Sequence, residues 1–309
     1  MEPVPTDTVT TDQVTALRRF NRYFTRRIGA LDDHYLGQDR PLGEARLLFE
    51  IGGEGASLRD LRARLGLDAG YLSRMVRALE RQGLVRVSVH PSDSRLRVAG
   101  LTAAGRAEIA EQNRLADALA EGLLSGLDAH RRTELTAALD TAHRLLRLAA
   151  ITVETVDGAS PDARACLAAY AADIDARFPE GFDPATLVRP REVSGDAGAF
   201  LVAYEEGRPV GCGALRRLGP RAGEIRHVWV APVARRLGLG RRILDGLEQR
   251  AAERGFGVVR LDTHAALTEA QRMYLACGYT EIPRYDDNVY AAHWFEKRLP
   301  VNAQEPPAP

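Results

Sequence analysis

The chain has 309 residues, 45% of them hydrophobic, and its 42 basic and 42 acidic side chains leave no net charge. That length suits about two domains, and neither a membrane-length apolar run nor the apolar core of a signal peptide is present in the sequence. Cys166, Cys212 and Cys277 show no CxxC spacing and no even pairing, so the expectation is a reduced, cytoplasmic protein with no disulfide framework and no metal.

The neutrality conceals a local asymmetry. Between Gly55 and Gly100 nine arginines face four acids, a net of +5, which suits a confined nucleic-acid footprint. In chain order, Val14, Leu17, Phe20, Phe24, Ile28 and Leu31 predict an amphipathic helix from about Thr11 to Tyr35, broken by Gly37 and Pro41. A second helix, about Leu42 to Ile51, ends at Gly52-Gly53. Ser57 opens a third that Gly66 stops, and Asp68 caps a fourth that ends at Gly83. The last two, joined by Leu65-Gly66-Leu67-Asp68, make a helix-turn-helix. Burying Leu72, Met75, Val76 and Leu79 leaves Gly70, Ser73, Arg74 and Arg77 outward, groups suited to a major groove and its phosphates. LVRVSVH and RLRVAGLT then form a hairpin around Pro91-Ser92-Asp93-Ser94. Arg95 at its tip is placed to enter a minor groove, with Asp93 to orient it. Two further helices, opened at Leu101-Thr102 and Asp128, carry leucines through Leu146. Long apolar helices on both sides of a winged helix suggest a dimer.

The string DAGYLSRMVRALERQGLVRVSVHPSDSRLRVAGLTAAG (68–105) makes residues 11–149 resemble the MarR family of winged-helix regulators. The resemblance implies a homodimer, formed through the helices near 11–35 and 102–149, on a near-palindromic double-stranded DNA operator. It gives Arg74 and Arg77 the recognition-helix role and matches Asp93 and Arg95 to the wing's Asp-x-Arg. A winged helix used only for protein contacts is the plainer alternative.

A strand, Ile151–Val156, begins almost where the last helix ends, so the linker is very short and independent tumbling of the halves is not expected. Ser160-Pro161 opens a helix to about Phe178, and Ala199–Tyr204 and Pro209–Leu218 form a hairpin. EIRHVWV (224–230) is a strand followed by Arg235-Arg236-Leu237-Gly238-Leu239-Gly240-Arg241 and a helix marked by Ile243, Leu244, Leu247 and Ala251. A glycine turn at a helix start holds anions, because the first-turn amides are free and the helix dipole is positive there. Val258–Asp262 is a strand, Thr268–Ala276 a helix, and Tyr279–Ile282 and Tyr290–Arg298 are closing strands of a mixed α/β sheet. VNAQEPPAP is a disordered tail. The domain bounds are thus 1–150, 151–300 and a tail at 301–309.

The glycine turn sits mid-domain, which excludes a Rossmann fold. EIRHVWV, R-x-x-G-x-G (235–240) and A-x-x-x-Y-x-x-x-G-Y (Ala270, Tyr274, Gly278, Tyr279) make 151–299 resemble the GNAT superfamily of N-acetyltransferases. RFPEGFDP, VGCGALR and LDTH-x-x-L-T-E-A are similar to a subgroup with small, often amino-acid-like amine acceptors. The resemblance implies acetyl-CoA as donor, pyrophosphate on the amides from Arg236 to Arg241, and pantetheine beside the strand ending at Val230. Amides at Val228, Trp229 and Val230, if splayed open, suit the oxyanion. Tyr274 takes the general-acid position, and Glu224 is the first candidate base, with a plain salt bridge its alternative. By alternation His227 points away from Glu224, unless a bulge changes the parity. His264 stands where the subgroup usually has asparagine, suggesting a binding role or, as the alternative, a base role. Arg236 replaces a usual glycine and is expected to offer its amide only at negative φ. Together these features indicate a bifunctional regulator and N-acetyltransferase. The alternative is a pure regulator whose transferase half senses acyl-CoA or a metabolite.

Overall fold

The computed structural model describes residues 8–300 apart from Asp33, Asp39, Pro91 and Ser92, together with the side chains outside 90–95. The tail at 301–309 lies outside the described residues. The chain separates into two units, Met1–Thr136 and Ala137–Pro309.

In the first unit, α1 (Thr11–Arg27) opens on a capping box in which the Thr10 amide donates to Gln13 Oε1 at 2.8 Å. It ends at Arg27 rather than near Tyr35, because Gly29 turns left-handed at φ +67° and starts a new direction. Leu17, Phe20 and Phe24 remain exposed, the two phenylalanine rings stacked at 5.5 Å. Next come α2 (Leu42–Ile51), β1 (Ala56–Ser57), α3 (Leu58–Leu65), α4 (Ala69–Arg81), β2 (Val85–His90), β3 (Asp93–Leu101), α5 (Ala103–Ser125) and α6 (Ala129–Ala150). Side-chain caps fix the starts: Ser57 accepts from the Asp60 amide at 3.0 Å and Asp68 from that of Tyr71 at 2.8 Å.

The two-residue β1 is too short to show a period in the sequence. It joins β2 and β3 in an antiparallel sheet of order β1-β3-β2, with Ala56 opposite Ala99. The core gathers Leu47, Leu48, Ile51, Leu61, Leu72 and Leu79, all 3% exposed or less. Each such leucine contributes about 2 kcal/mol of apolar burial.

The second unit holds β4 (Thr152–Val156), α7 (Pro161–Asp175), β5 (Gly198–Glu205), β6 (Arg208–Gly219), β7 (Ala222–Val230), α8 (Leu239–Glu253), β8 (Val258–Thr263), α9 (Thr268–Ala276), β9 (Thr280–Ile282) and β10 (His293–Arg298). The described strands make one seven-stranded sheet of order β4-β5-β6-β7-β8-β10-β9. Its neighbours are antiparallel except β7 and β8, which the α8 crossover makes parallel. The dividing point between the units falls within α6, not after it at residue 150. The last turns of α6 belong to the second unit because Arg147 grips Glu205 through two 2.7 Å hydrogen bonds, and Arg242 donates to the Leu148 and Ile151 carbonyls.

One sheet face packs under α8 through Ile243, Leu244 and Leu247. The other packs under α7 with Phe200, Val202, Cys166 and Cys212. The three cysteines are free thiols. Gly213 permits the α8 packing: a Cβ there would lie 2.7 Å from Leu247 Cδ1 and 2.8 Å from Ile243 Cγ2. Among the described residues no helix is long and apolar enough to cross a membrane.

Candidate active site and nucleic-acid interface

β7 and β8 pair only from Ala222–Val258 to Glu224–Arg260. Beyond that point β7 continues to Val230 and β8 to Thr263 without pairing to each other, so the sheet opens in a wedge. A cleft of about 740 Å³ fills it and runs to the turn at Arg235–Arg241. Val228, Trp229 and Val230 line the cleft; the Trp229 backbone is turned to β6, while the Val230 carbonyl faces the opened edge, where Arg235 reaches it.

The turn is built for an anion. Its ends are closed by the Arg235 amide on the Pro232 carbonyl and the Arg242 amide on the Gly238 carbonyl. Among the described residues the amides from Arg236 to Arg241 have no backbone acceptor. Arg236 has φ +62° and Gly238 φ +91°. The negative φ expected at Arg236 is therefore not found; positive-φ residues in such a turn suit a concave nest of N–H groups. Leu237 and Leu239 anchor the turn by burying their side chains, while Gly240 lets Met273 approach, its Sδ 3.2 Å from where a Cβ would stand. The Arg235 side chain, however, is a brace. It donates to the Val230 carbonyl at 3.0 Å and to Asp173 at 2.6 Å. Arg236 and Arg241 are exposed beside the cleft. A pyrophosphate therefore fits this turn through amides plus two arginines.

Tyr274, on α9, lines the same cleft and is 6% exposed, against Tyr279 and Phe295 with centroids 5.8 Å from each. Burial pushes its phenol upward, so it holds its proton throughout the neutral range. Tyr274 and the turn, 33 residues apart in sequence at their nearest (241 to 274), are thus brought to one cavity.

The candidate base requires a correction. Glu224 is fully buried and does not line the cleft. Arg216 Nε donates to one of its oxygens and the Tyr285 hydroxyl to the other at 3.0 Å, which commits it to the sheet. Three carboxylates line the cleft; Asp173 and Glu269 are paired with Arg235 and Arg177, which leaves Asp262 on β8, half-buried, without an arginine partner among the described residues. Asn288 donates to it at 2.7 Å, and burial, chiefly, with help from Asp286 and Glu224 raises its pKa to about 6. Glu224, Asp262 and Asp286 offer oxygens within 4.8 Å of one another, with Asp286 accepting from the Trp294 indole at 2.9 Å. Asp262 was missed because its motif, LDTH, reads as an inward strand residue. The signal was an acid at the carboxyl end of a parallel strand, where α/β clefts open.

β7 carries a bulge, the exception that alters the simple alternation expected at His227. Cys212 faces Trp229 and Ala214 faces Arg226, so His227 and Val228 together oppose Gly213, and His227 takes φ +53°. Arg226 and Trp229 consequently share a face. His227 is turned against Tyr170, 4.9 Å between centroids, and its Nε2 accepts from the Val188 amide at 3.1 Å. Burial foremost, then Arg226 and Arg216, lowers its pKa to about 3. It is a neutral acceptor at any physiological pH, with its lone pair occupied.

His264 lines the cleft, but it serves as a wall brace more than a cofactor ligand. Nδ1 accepts from the Ala266 amide at 2.9 Å, so Nε2 carries the hydrogen that goes to Glu180 at 3.0 Å. Its ring stacks on Phe178 at 3.9 Å.

In the first unit, α4 buries Leu72, Met75, Val76 and Leu79 and leaves Gly70, Ser73, Arg74 and Arg77 exposed, the face expected from its period. Arg74 rests 5.7 Å above the Tyr71 ring, and Arg77 and Arg81 share a shallow surface hollow with it. Glu80 lines the same hollow and accepts from the Val87 amide of β2 at 3.2 Å. β3 carries the expected wing positions Asp93 and Arg95, whose side chains lie outside the described residues.

Residues 38–96 match the MarR family, and residues 166–279 match the acetyltransferase (GNAT) family. The chain is 34% identical over 128 residues to a mycothiol acetyltransferase of Thermobifida fusca, covering 40% of this chain and 39% of that one. It is 32% identical over 83 residues to an IAA acetyltransferase of Azospirillum brasilense, covering 26% of this chain and 54% of that one. The chain thus spans 39% and 54% of these relatives' lengths. A solved acetyltransferase from Streptococcus agalactiae superposes on 48% of this chain and 99% of its own, at 20% identity and a TM-score of 0.43.

Proposed function

We propose that this chain, which joins a MarR-family segment to a GNAT-family segment, is both a DNA-binding regulator and an N-acetyltransferase that moves acetyl from acetyl-CoA to a small amine. The observation that carries the transferase half is the opening of β7 from β8. It gives one cleft in which the Arg236–Arg241 amides, the opened edge of β7, Tyr274 and Asp262 all stand.

The thioester, when bound, supplies the electrophilic carbonyl and a thiolate leaving group. The nest and the flanking Arg236 and Arg241 hold the pyrophosphate. Amides of Val228 and Val230 stabilise negative charge developing on the carbonyl oxygen. Asp262, replacing Glu224 in this role, accepts a proton from the incoming ammonium; its pKa near 6 keeps it ionised at neutral pH yet basic enough to act. Tyr274 donates to the departing sulfur.

The regulatory half rests on the free Arg74 and Arg77 face and on the exposed apolar stripe of α1, which suits a second copy of the chain. A near-palindromic operator is the corresponding partner.

The sequestration of Glu224 favours a second reading, a regulator whose transferase half only senses acyl-CoA. Thiol release from acetyl-CoA, measured across amino acids, polyamines, aminoglycosides and peptide N-termini, separates the two. Turnover that Tyr274→Phe suppresses supports the transferase, whereas acetyl-CoA binding without turnover on any acceptor supports the sensor.

A further inference from the structure

Arg226 is the group in the cleft that neither the fold nor the transfer chemistry uses. It is half-buried on β7, lines the cavity, and makes no side-chain hydrogen bond or ion pair among the described residues. Its charge is nevertheless felt inside the cleft, at Tyr170, His227 and Asp262. Leaving a guanidinium partly desolvated and unpaired is unfavourable unless a ligand supplies the anion. The bulge at His227–Val228 sets Arg226 on the same face as Trp229, and so its orientation is built by the strand irregularity.

Beyond these charges the cavity wall is aromatic. Phe182 and Tyr290 lie 5.3 Å apart, and Phe178 lies 5.9 Å from Tyr290 and 6.4 Å from Phe182. The wall is held rigid: the Asp183 amide donates to the Tyr290 hydroxyl at 2.9 Å, and His264 stacks behind Phe178. A preformed aromatic surface beside a cation and a carboxylate matches a ligand with an aromatic body, an anion and an ammonium.

We propose that the acceptor is an aromatic α-amino acid, its carboxylate on Arg226, its ammonium against Asp262 and its ring on the Phe178–Phe182–Tyr290 wall. This rests on the transferase reading and specifies its substrate. In the transfer an N–C bond forms and the C–S bond breaks. Of the two protons the ammonium loses, one ends on the CoA sulfur and the other passes through Asp262 to water.

The test compares L-phenylalanine, L-tyrosine and L-tryptophan with L-phenylalaninamide, phenethylamine and L-alanine, in the wild type and Arg226→Gln. Acetyl transfer is followed by thiol release. In parallel, calorimetry on the full-length protein with CoA reads binding that needs no turnover. At least one aromatic amino acid should exceed the amide, phenethylamine and alanine by about 10-fold or more in kcat/KM. Arg226→Gln should erase the advantage over the amide while leaving CoA affinity unchanged. If phenethylamine or the amide turns over as well as the acids, the substrate assignment is wrong and the transferase stands. Absent turnover combined with Arg226-dependent binding of an aromatic amino acid would retain the assignment and remove the transferase. Binding and turnover that both ignore the carboxylate overturn the proposal outright.

Discussion

The two candidate sites are built in opposite ways. The α4 face is convex, exposed and unstrained, its arginines carried by a helix whose other side is core. In the β7–β8 cleft the reactive groups are partly desolvated, two non-glycine residues sit at positive φ, and the strand is bulged. A surface that reads phosphates needs charge in water and tolerates motion. A cleft that transfers protons needs shifted acidities and fixed positions, which burial and strain supply.

Substitutions that touch one site and spare the other sharpen this contrast. The largest effect is expected from Asp262→Asn, which should lower kcat about 10²–10⁴-fold. In the wild type kcat should rise with pH through a limb near 6, as the carboxylate ionises, and the variant should lose that limb. The stability effect has the reverse sign. A carboxyl with a raised folded pKa contributes stability below its unfolded value, near 3.8, and loses it as pH climbs through about 6. At pH 8 the asparagine variant should therefore be the more stable protein, by about 1–2 kcal/mol in denaturant titrations, and the gain should shrink below pH 6. Tyr274→Phe should reduce kcat about 100-fold with acetyl-CoA affinity preserved. Equal losses in both would make the tyrosine a packing residue. Arg74→Ala should weaken operator binding about 10-fold by fluorescence anisotropy, flatten its salt dependence and leave acetyl transfer intact. If it lowered both activities together, the contrast between separable sites would collapse. Smallest of all, Arg236→Gly should change chemical stability by less than about 1 kcal/mol, since relief of left-handed strain is offset by the greater freedom of unfolded glycine.

The same contrast governs what could be read beforehand. The α4 face follows from a 3.6-residue period and side-chain caps, both local, and Gly70, Ser73, Arg74 and Arg77 lie where the period puts them. Tyr274 and the 235–241 turn were recognisable from motif spacing, and one cavity unites them. Strand parity failed at the other side of the cleft. Glu224 was assigned from its place in EIRHVWV, yet Arg216 and Tyr285 come from β6 and from the loop before β10, and no local pattern announces that they enclose it. Asp262 owes its raised pKa first to burial and then to Asp286 and Glu224, 24 residues after it and 38 before it (286, 262, 224), so its role exists only once the chain has folded. The end of α1 at Arg27 was written in Gly29, though the apolar spacing through Leu31 masked it.

Beneath α8, the methyl-free floor at Gly211 and Gly213 sets more than a packing distance. A single added carbon at Gly213 would meet Leu247 and Ile243 and lift the helix whose first residue, Leu239, ends the phosphate turn. The height of the Arg235–Arg241 turn above the sheet is thus written into β6, 24 and 22 residues upstream of Arg235 (211, 213, 235). A descendant of this chain could shift the turn by drift at those glycines, leaving every residue of the turn itself unaltered.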